Sequence, residues 1–100
     1  MSTPYSNFLR ADMRLVILRS LVELPAYRAN SSLLHTVLQH WAHEPSRDQL
    51  KTELRWLEEQ GLVSIESIGD GAVLLVTLTE RGADVAAGRA RVDGVKRPGA

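Results

Sequence analysis

Cysteine is absent from this chain, which excludes disulfide staples, thiolate metal sites and cysteine nucleophiles together. Aromatic residues are scarce, at 5%, and neither sign of charge is in excess: twelve Lys and Arg stand against twelve Asp and Glu. Proteins dedicated to nucleic acid usually carry a basic surplus, because counterion release from phosphates drives their binding. Neutrality weakens that expectation without removing it, since a basic stripe can be balanced by an acidic far side. Long hydrophobic runs are also missing. The longest, Leu15–Leu18 and Ala72–Val76, are far shorter than the ~20 residues that cross a bilayer as a helix. The opening stretch MSTPYSNFLRAD lacks the charged-then-apolar layout of a signal peptide, so a soluble cytoplasmic protein is expected. No nucleophile elbow, Gly-rich phosphate loop or HExxH is present. Glu58 and Glu59 point about 100° apart on a helix and do not form an acid–base pair. Neither catalysis nor a cofactor is expected.

What is present is an ordinary globular composition, 44% hydrophobic and 24% charged over 100 residues, enough for one hydrophobic core. The expected layout is one domain over residues 1–92 and an extended basic tail over 93–100. Ser2-Thr3-Pro4 reads as a cap and first turn. Phe8, Leu9, Met13, Val16, Ile17, Leu21 and Leu24 then recur at helical spacing over about residues 4–24. Leu15, Leu18 and Val22 widen the stripe, so this helix is either central or also buried against a second copy. Arg10 and Arg14 read as a solvated face beside Asp12.

The stretch Leu24–Ala29 breaks that helix, and Asn30, Ser31 or Ser32 caps the next. Leu33, Leu34, Val37, Leu38 and Trp41 form its apolar face, and it is expected to end near His43–Glu44, before Pro45. Ser46 then caps a third helix with Gln49 in the capping-box position. Leu50, Leu54 and Leu57 form its buried stripe, and Gly61 its left-handed stop. The short break between the two helices has helix-turn-helix character. Val63 and Ile65 alternate with Ser64 and Glu66, and Gly69-Asp70-Gly71 suits a two-residue reversal. Ala72–Leu78 returns as a second strand. Thr79 caps a last helix through TERGADVAAGRARV. The fold class is therefore mostly α with a two-stranded β-hairpin, in the order α-α-α-β-β-α: a winged helix-turn-helix in a single domain.

RDQLKTELRWLEEQGLV, the Gly-turn hairpin and LTERGADVAAG with GVKRP together resemble small winged-helix proteins of Mu-like bacteriophages and prophages. These are commonly labelled ArsR-like, within the MarR and ArsR type. The likeness covers about residues 10–98. It implies a phage or prophage transcriptional regulator in a bacterial host cell, binding double-stranded DNA as a homodimer with the helix 46–60 in a major groove. Carried over by position, the groove-facing residues are Ser46, Arg47, Gln49, Lys51, Thr52 and Arg55. Arg47 or Arg55 suits guanine, Gln49 adenine, and Lys51 a phosphate. Two features run against this pattern: Ser46–Gln60 is net acidic, and the wing from Leu62 to Leu78 has no Lys or Arg.

Those features support the alternative of a winged helix turned to protein–protein contact, such as a phage assembly or packaging accessory or a host-factor binder. Trp56, about 200° around the helix from Leu54, is the candidate partner anchor; otherwise it packs on the wing or the second helix. His40 and His43, one turn apart with His35 upstream, raise a third reading as a metal or ligand sensor. Surface histidines at a helix end are commonplace, and no metal site is expected.

Overall fold

A computed structural model describes residues 4–99, so the cap assigned to Ser2 and Thr3 lies outside the described residues. The elements run α1 (Pro4–Glu23), a 3-10 turn (Pro25–Tyr27), β1 (Arg28–Asn30), α2 (Ser31–His40), α3 (Arg47–Glu59), β2 (Val63–Ile68), β3 (Val73–Leu78) and α4 (Glu80–Ala87). This is the winged helix-turn-helix, with one addition. The sheet has three antiparallel strands in the order β1-β3-β2, not two. Ala26 and Tyr27 take left-handed backbone (φ 57° and 55°) and turn the chain after Pro25. Arg28–Asn30 then pair along the edge of β3, Arg28 opposite Thr77 and Asn30 opposite Leu75. Three residues are too few to show an alternating pattern in sequence.

Local capping explains most helix ends. Asn30, rather than Ser31 or Ser32, caps α2, its Oδ1 accepting the Leu33 N–H at 2.7 Å. Ser31 is buried, and its hydroxyl accepts the Leu74 N–H at 3.1 Å, tying α2 to β3. α2 stops at His40, short of the expected end, because Ala42 turns left-handed (φ 64°). The His43 N–H then donates to Leu38 O at 2.8 Å. Ser46 caps α3 by accepting the Gln49 N–H at 3.0 Å, and Thr79 caps α4 by accepting the Gly82 N–H at 3.0 Å. α4 ends at Ala87, with Gly88 as a left-handed cap, and does not continue to Val92. Pairing of the wing closes at Ile68–Val73. Residues 69–72 therefore form a four-residue loop in place of the expected two-residue reversal.

The core is built from Ile17, Leu18 and Leu21 of α1, Leu34 and Leu38 of α2, Leu50, Leu54 and Leu57 of α3, Leu62 just before β2, and Val76 of β3. α1 is thus central, but its first buried residue is Met13. Phe8 and Leu9, expected in the buried stripe, are exposed, as are Leu33 and Trp41 of the expected α2 face. No helix among the described residues is long and apolar enough to cross a membrane.

The C-terminal segment does not stand clear of the domain. Val92 and Val95 are buried, the Lys96 N–H donates to Ala11 O at 3.1 Å, and Lys96 Nζ reaches Asp12 Oδ1 at 3.3 Å. Gly94 takes a left-handed turn (φ 98°), where a Cβ would lie 2.9 Å from Trp56 Cζ2. Beneath it Arg14, expected to be solvated, is largely enclosed. Its Nε donates to Glu53 Oε1 at 2.6 Å, its NH1 to Gly94 O at 3.0 Å, and its guanidinium lies 3.8 Å over the Trp56 ring. Half a turn earlier on α1, Asp12 Oδ2 meets His43 Nε2 at 2.7 Å. Partial burial works to raise the Asp12 carboxyl, but His43 and Lys96 outweigh it and hold its pKa below the ordinary 3.8.

Three outcomes are expected. Gly82 sits where an added Cβ would run into Leu62 O and Leu78 Cδ1. Gly82→Ala therefore destabilises by roughly 1–3 kcal/mol through overpacking, although Gly→Ala within a helix normally stabilises by up to ~1 kcal/mol; denaturant midpoints decide between the two signs. Removing one side of the enclosed pair, as in Arg14→Ala, leaves Glu53 buried and uncompensated, at about 3–5 kcal/mol. A double-mutant cycle with Glu53→Ala should show strong coupling. Asp12, with a lowered folded pKa, stabilises the domain fully above the unfolded carboxylate value and loses that contribution as pH falls through the folded value. With the Asp12 side chain 37% exposed, solvent screening keeps the contribution small. Melting temperatures should therefore fall less on acidification in Asp12→Asn than in the parent chain.

Candidate nucleic-acid interface

α3 presents its polar side outward because its apolar positions are confined to one stripe. Leu50, Glu53, Leu54 and Leu57 face inward. Arg47, Asp48, Gln49, Thr52, Arg55 and Glu59 are exposed on the remaining surface. Among the described residues that surface is open. Of the six residues expected to face a groove, Ser46, Arg47, Gln49, Thr52 and Arg55 are exposed and Lys51 is half-buried.

Their local contacts differ. The Ser46 hydroxyl is engaged as the helix cap. Arg47 NH1 donates to Ser32 Oγ at 3.4 Å, at the start of α2. The Thr52 hydroxyl donates back to Asp48 O at 3.2 Å. Arg55 NH1 pairs with Glu58 Oε1 at 3.0 Å, an exposed contact of little energetic weight. Lys51 Nζ donates to Gly71 O at 3.2 Å, which sets an ammonium beside the wing loop. The wing has no cation of its own, but α3 lends it one.

The acidity of α3 is also redistributed by the fold. Glu53 is only 4% exposed and is paired with Arg14 of α1, so its charge does not face outward. Three cations, Arg47, Lys51 and Arg55, then share the rest of the helix with three acids, Asp48, Glu58 and Glu59. Trp56 lies on the α1 side of α3, under the Arg14 guanidinium and against Gly94. One face of its ring is covered by that guanidinium. The pairing of Arg14 with Glu53, 39 positions apart, leaves no mark in local sequence and was missed. The Arg47–Ser32 contact was within reach only through the Ser31-Ser32 pair already singled out as cap candidates.

The histidines are distributed rather than clustered. His43 is buried against Asp12, and His35 Nε2 lies 2.9 Å from Pro45 O. His40 meets Trp41 edge to face. Among the described residues no group of three potential metal ligands comes together.

No family model matches the chain. It is 48% identical over 93 residues to an uncharacterized protein, gp26, of Escherichia phage Mu, covering 93% of this chain and 94% of that one. An uncharacterized protein of Haemophilus influenzae is 42% identical over 77 residues, 77% of this chain and 74% of that one. Among solved structures, AbsC, a MarR family transcriptional regulator from Streptomyces coelicolor, is similar with a TM-score of 0.61 at 27% identity. That match covers 74% of this chain but 47% of AbsC, about half its length. A complex structure of hsRosR gives a TM-score of 0.60 at 20% identity, over 86% of this chain and 85% of that one, a likeness of fold alone. The chain belongs to the family of gp26 of phage Mu, and that family carries the winged helix-turn-helix fold.

Proposed function

We propose that this protein is a DNA-binding transcriptional regulator of a phage or prophage, of the MarR and ArsR type, acting as a homodimer with α3 in the major groove. The observation that carries this reading is the open outer side of α3, with Arg47, Gln49, Thr52 and Arg55 exposed together and Glu53 neutralised behind them. Its chemistry fits base edges. Arg47 or Arg55 offers a bidentate donor to guanine, and Gln49 a donor–acceptor pair to adenine. Ser46 and Thr52 add hydroxyls for phosphate or base contacts. Lys51, held at the wing loop, is a phosphate contact that also supplies the wing with charge. The description of AbsC as a transcriptional regulator supports the same class of activity. A two-fold dimer would read half-sites about 34 Å apart.

Trp56 takes a supporting part in this reading, holding α3 against α1 under the Arg14 guanidinium. The alternative, a winged helix used for protein–protein contact in phage assembly or host binding, draws on the net charge of zero and on the cation-free wing strands. It predicts no retention of DNA that weakens with salt.

Fluorescence anisotropy with duplexes from the region upstream of the gene tests the reading. Binding should weaken steeply with salt. Arg47→Ala and Arg55→Ala should each cost roughly 1–3 kcal/mol where they touch bases, while Lys51→Ala lowers the salt slope by about 1. Unchanged affinity in the Arg47→Ala/Arg55→Ala double variant would sink the groove assignment.

A further inference from the structure

A helix seated in a major groove has a phosphate strand along each flank, because the groove is only about 12 Å wide and the helix with its side chains nearly fills it. On α3, Gln49 and Lys51 lie two positions and so about 160° apart around the axis, on opposite flanks, with Thr52 between them on the outward arc. The Lys51 flank adjoins the wing loop through Gly71 O. The Gln49 flank opens into a cleft of about 560 Å³ between α3 and the first half of α1. Ser6 and Arg10 of α1 line one side of it, and Gln49, Thr52 and Glu53 of α3 the other. Two of the charges there are already matched: Glu53 is held by Arg14 at 2.6 Å, and His43 is buried against Asp12. Among the described residues this leaves Arg10 as the cation of the lining and Glu44, on the turn before α3, as its exposed acid.

We propose that Arg10, with the Ser6 hydroxyl one turn before it, is the DNA phosphate contact on the flank of α3 opposite the wing. The chain then grips both strands that border the groove, one from Lys51 and the other from a helix outside the helix-turn-helix. Ser6, Arg10 and Arg14 form one row along α1 at four-residue spacing. Arg14 is committed to Glu53, Gly94 and Trp56. Arg10 is also engaged within the chain, which holds it in place, and the five donors of a guanidinium keep capacity for a phosphate oxygen. Glu44 opposes the same phosphate and weakens the contact. Bracketed by Lys51 and Arg10, the exposed Thr52 and Arg55 are set in register on the duplex, since phosphate contacts position a protein and base contacts specify the sequence. The inference rests on the groove assignment in the proposed function.

Methylphosphonate substitution, one position at a time, in duplexes from the region upstream of the gene removes single phosphate charges without altering the protein. Two runs of sensitive positions are expected, one on each strand bordering the α3 groove. Lys51→Ala should abolish the sensitivity of one run and Arg10→Ala that of the other. Each should weaken all duplexes alike and lower the slope of log affinity on log salt by about 0.9, which is ~3.5-fold in affinity between about 50 and 200 mM salt. Arg10→Lys should restore the slope, whereas a purely structural role for the guanidinium fork would not be rescued by an ammonium. Glu44→Gln, at an exposed position, should tighten binding to every duplex. If Arg10→Ala loses its far-ultraviolet circular dichroism, the scan on the parent protein decides. Sensitive phosphates on the wing flank alone, or an unchanged salt slope in folded Arg10→Ala, would overturn the assignment and leave the regulator reading in place. The absence of salt-dependent binding to any duplex would overturn both.

Discussion

The enclosed pair between Arg14 and Glu53, 2.6 Å apart, is the contact on which the placement of α3 depends. Two ions removed from water are costly to bury unless their remaining hydrogen-bonding capacity is met. Arg14 meets part of its own through Gly94 O and spreads its planar cation over Trp56, where a weakly hydrated guanidinium is favoured over an ammonium. α1, α3 and the C-terminal segment therefore meet at one side chain. The absence of a Cβ at Gly94 is part of the same arrangement, since the backbone passes too close to the indole for any other residue.

A second link, Asp12 with His43 and Lys96, lies one half-turn away on α1 and reaches the turn between α2 and α3. Together the two links hold the turn of the helix-turn-helix and the middle of α3 against α1. The orientation of α3 is thereby set from behind by polar contacts and from below by the leucine stripe, so its outer side is not needed for folding. In the proposed regulator, this division of labour leaves Arg47, Gln49, Thr52 and Arg55 available for recognition.

Charge in this protein is distributed by structure rather than by composition. A neutral chain with an acidic third helix looks poorly suited to a polyanion, yet one of the four acids on that helix faces inward to an arginine. The cation-free wing has an ammonium beside its loop because Lys51 reaches Gly71 O. Net charge and charge per segment average over these differences, while a groove would meet only the outward set.

Much of the local architecture was legible in the residues. Ser46 with Gln49, Thr79 with Gly82, and the run Leu50, Leu54 and Leu57 encode helix starts and a buried stripe through contacts three or four positions apart, which are within reach of sequence. The solvent-facing set on α3 follows from that stripe by helical geometry. The exposure of Phe8 and Leu9 did not follow, because periodicity identifies an apolar side but not whether the rest of the chain extends far enough to cover it. The third strand was hidden because three residues carry no period. The segment after α4 looked like a basic tail by composition, and only the positions of Ala11, Asp12 and Arg14 on a folded α1 gave Val92–Lys96 a place to bind. The sequence by itself thus determined the order of the four helices and two wing strands, the caps of α3 and α4 and the buried stripe of α3, since these arise from short-range sterics and hydrogen bonds. Tertiary structure alone decided which charges meet, what Trp56 touches and where the C-terminal segment lies, because those energies depend on distances between residues that are far apart along the chain.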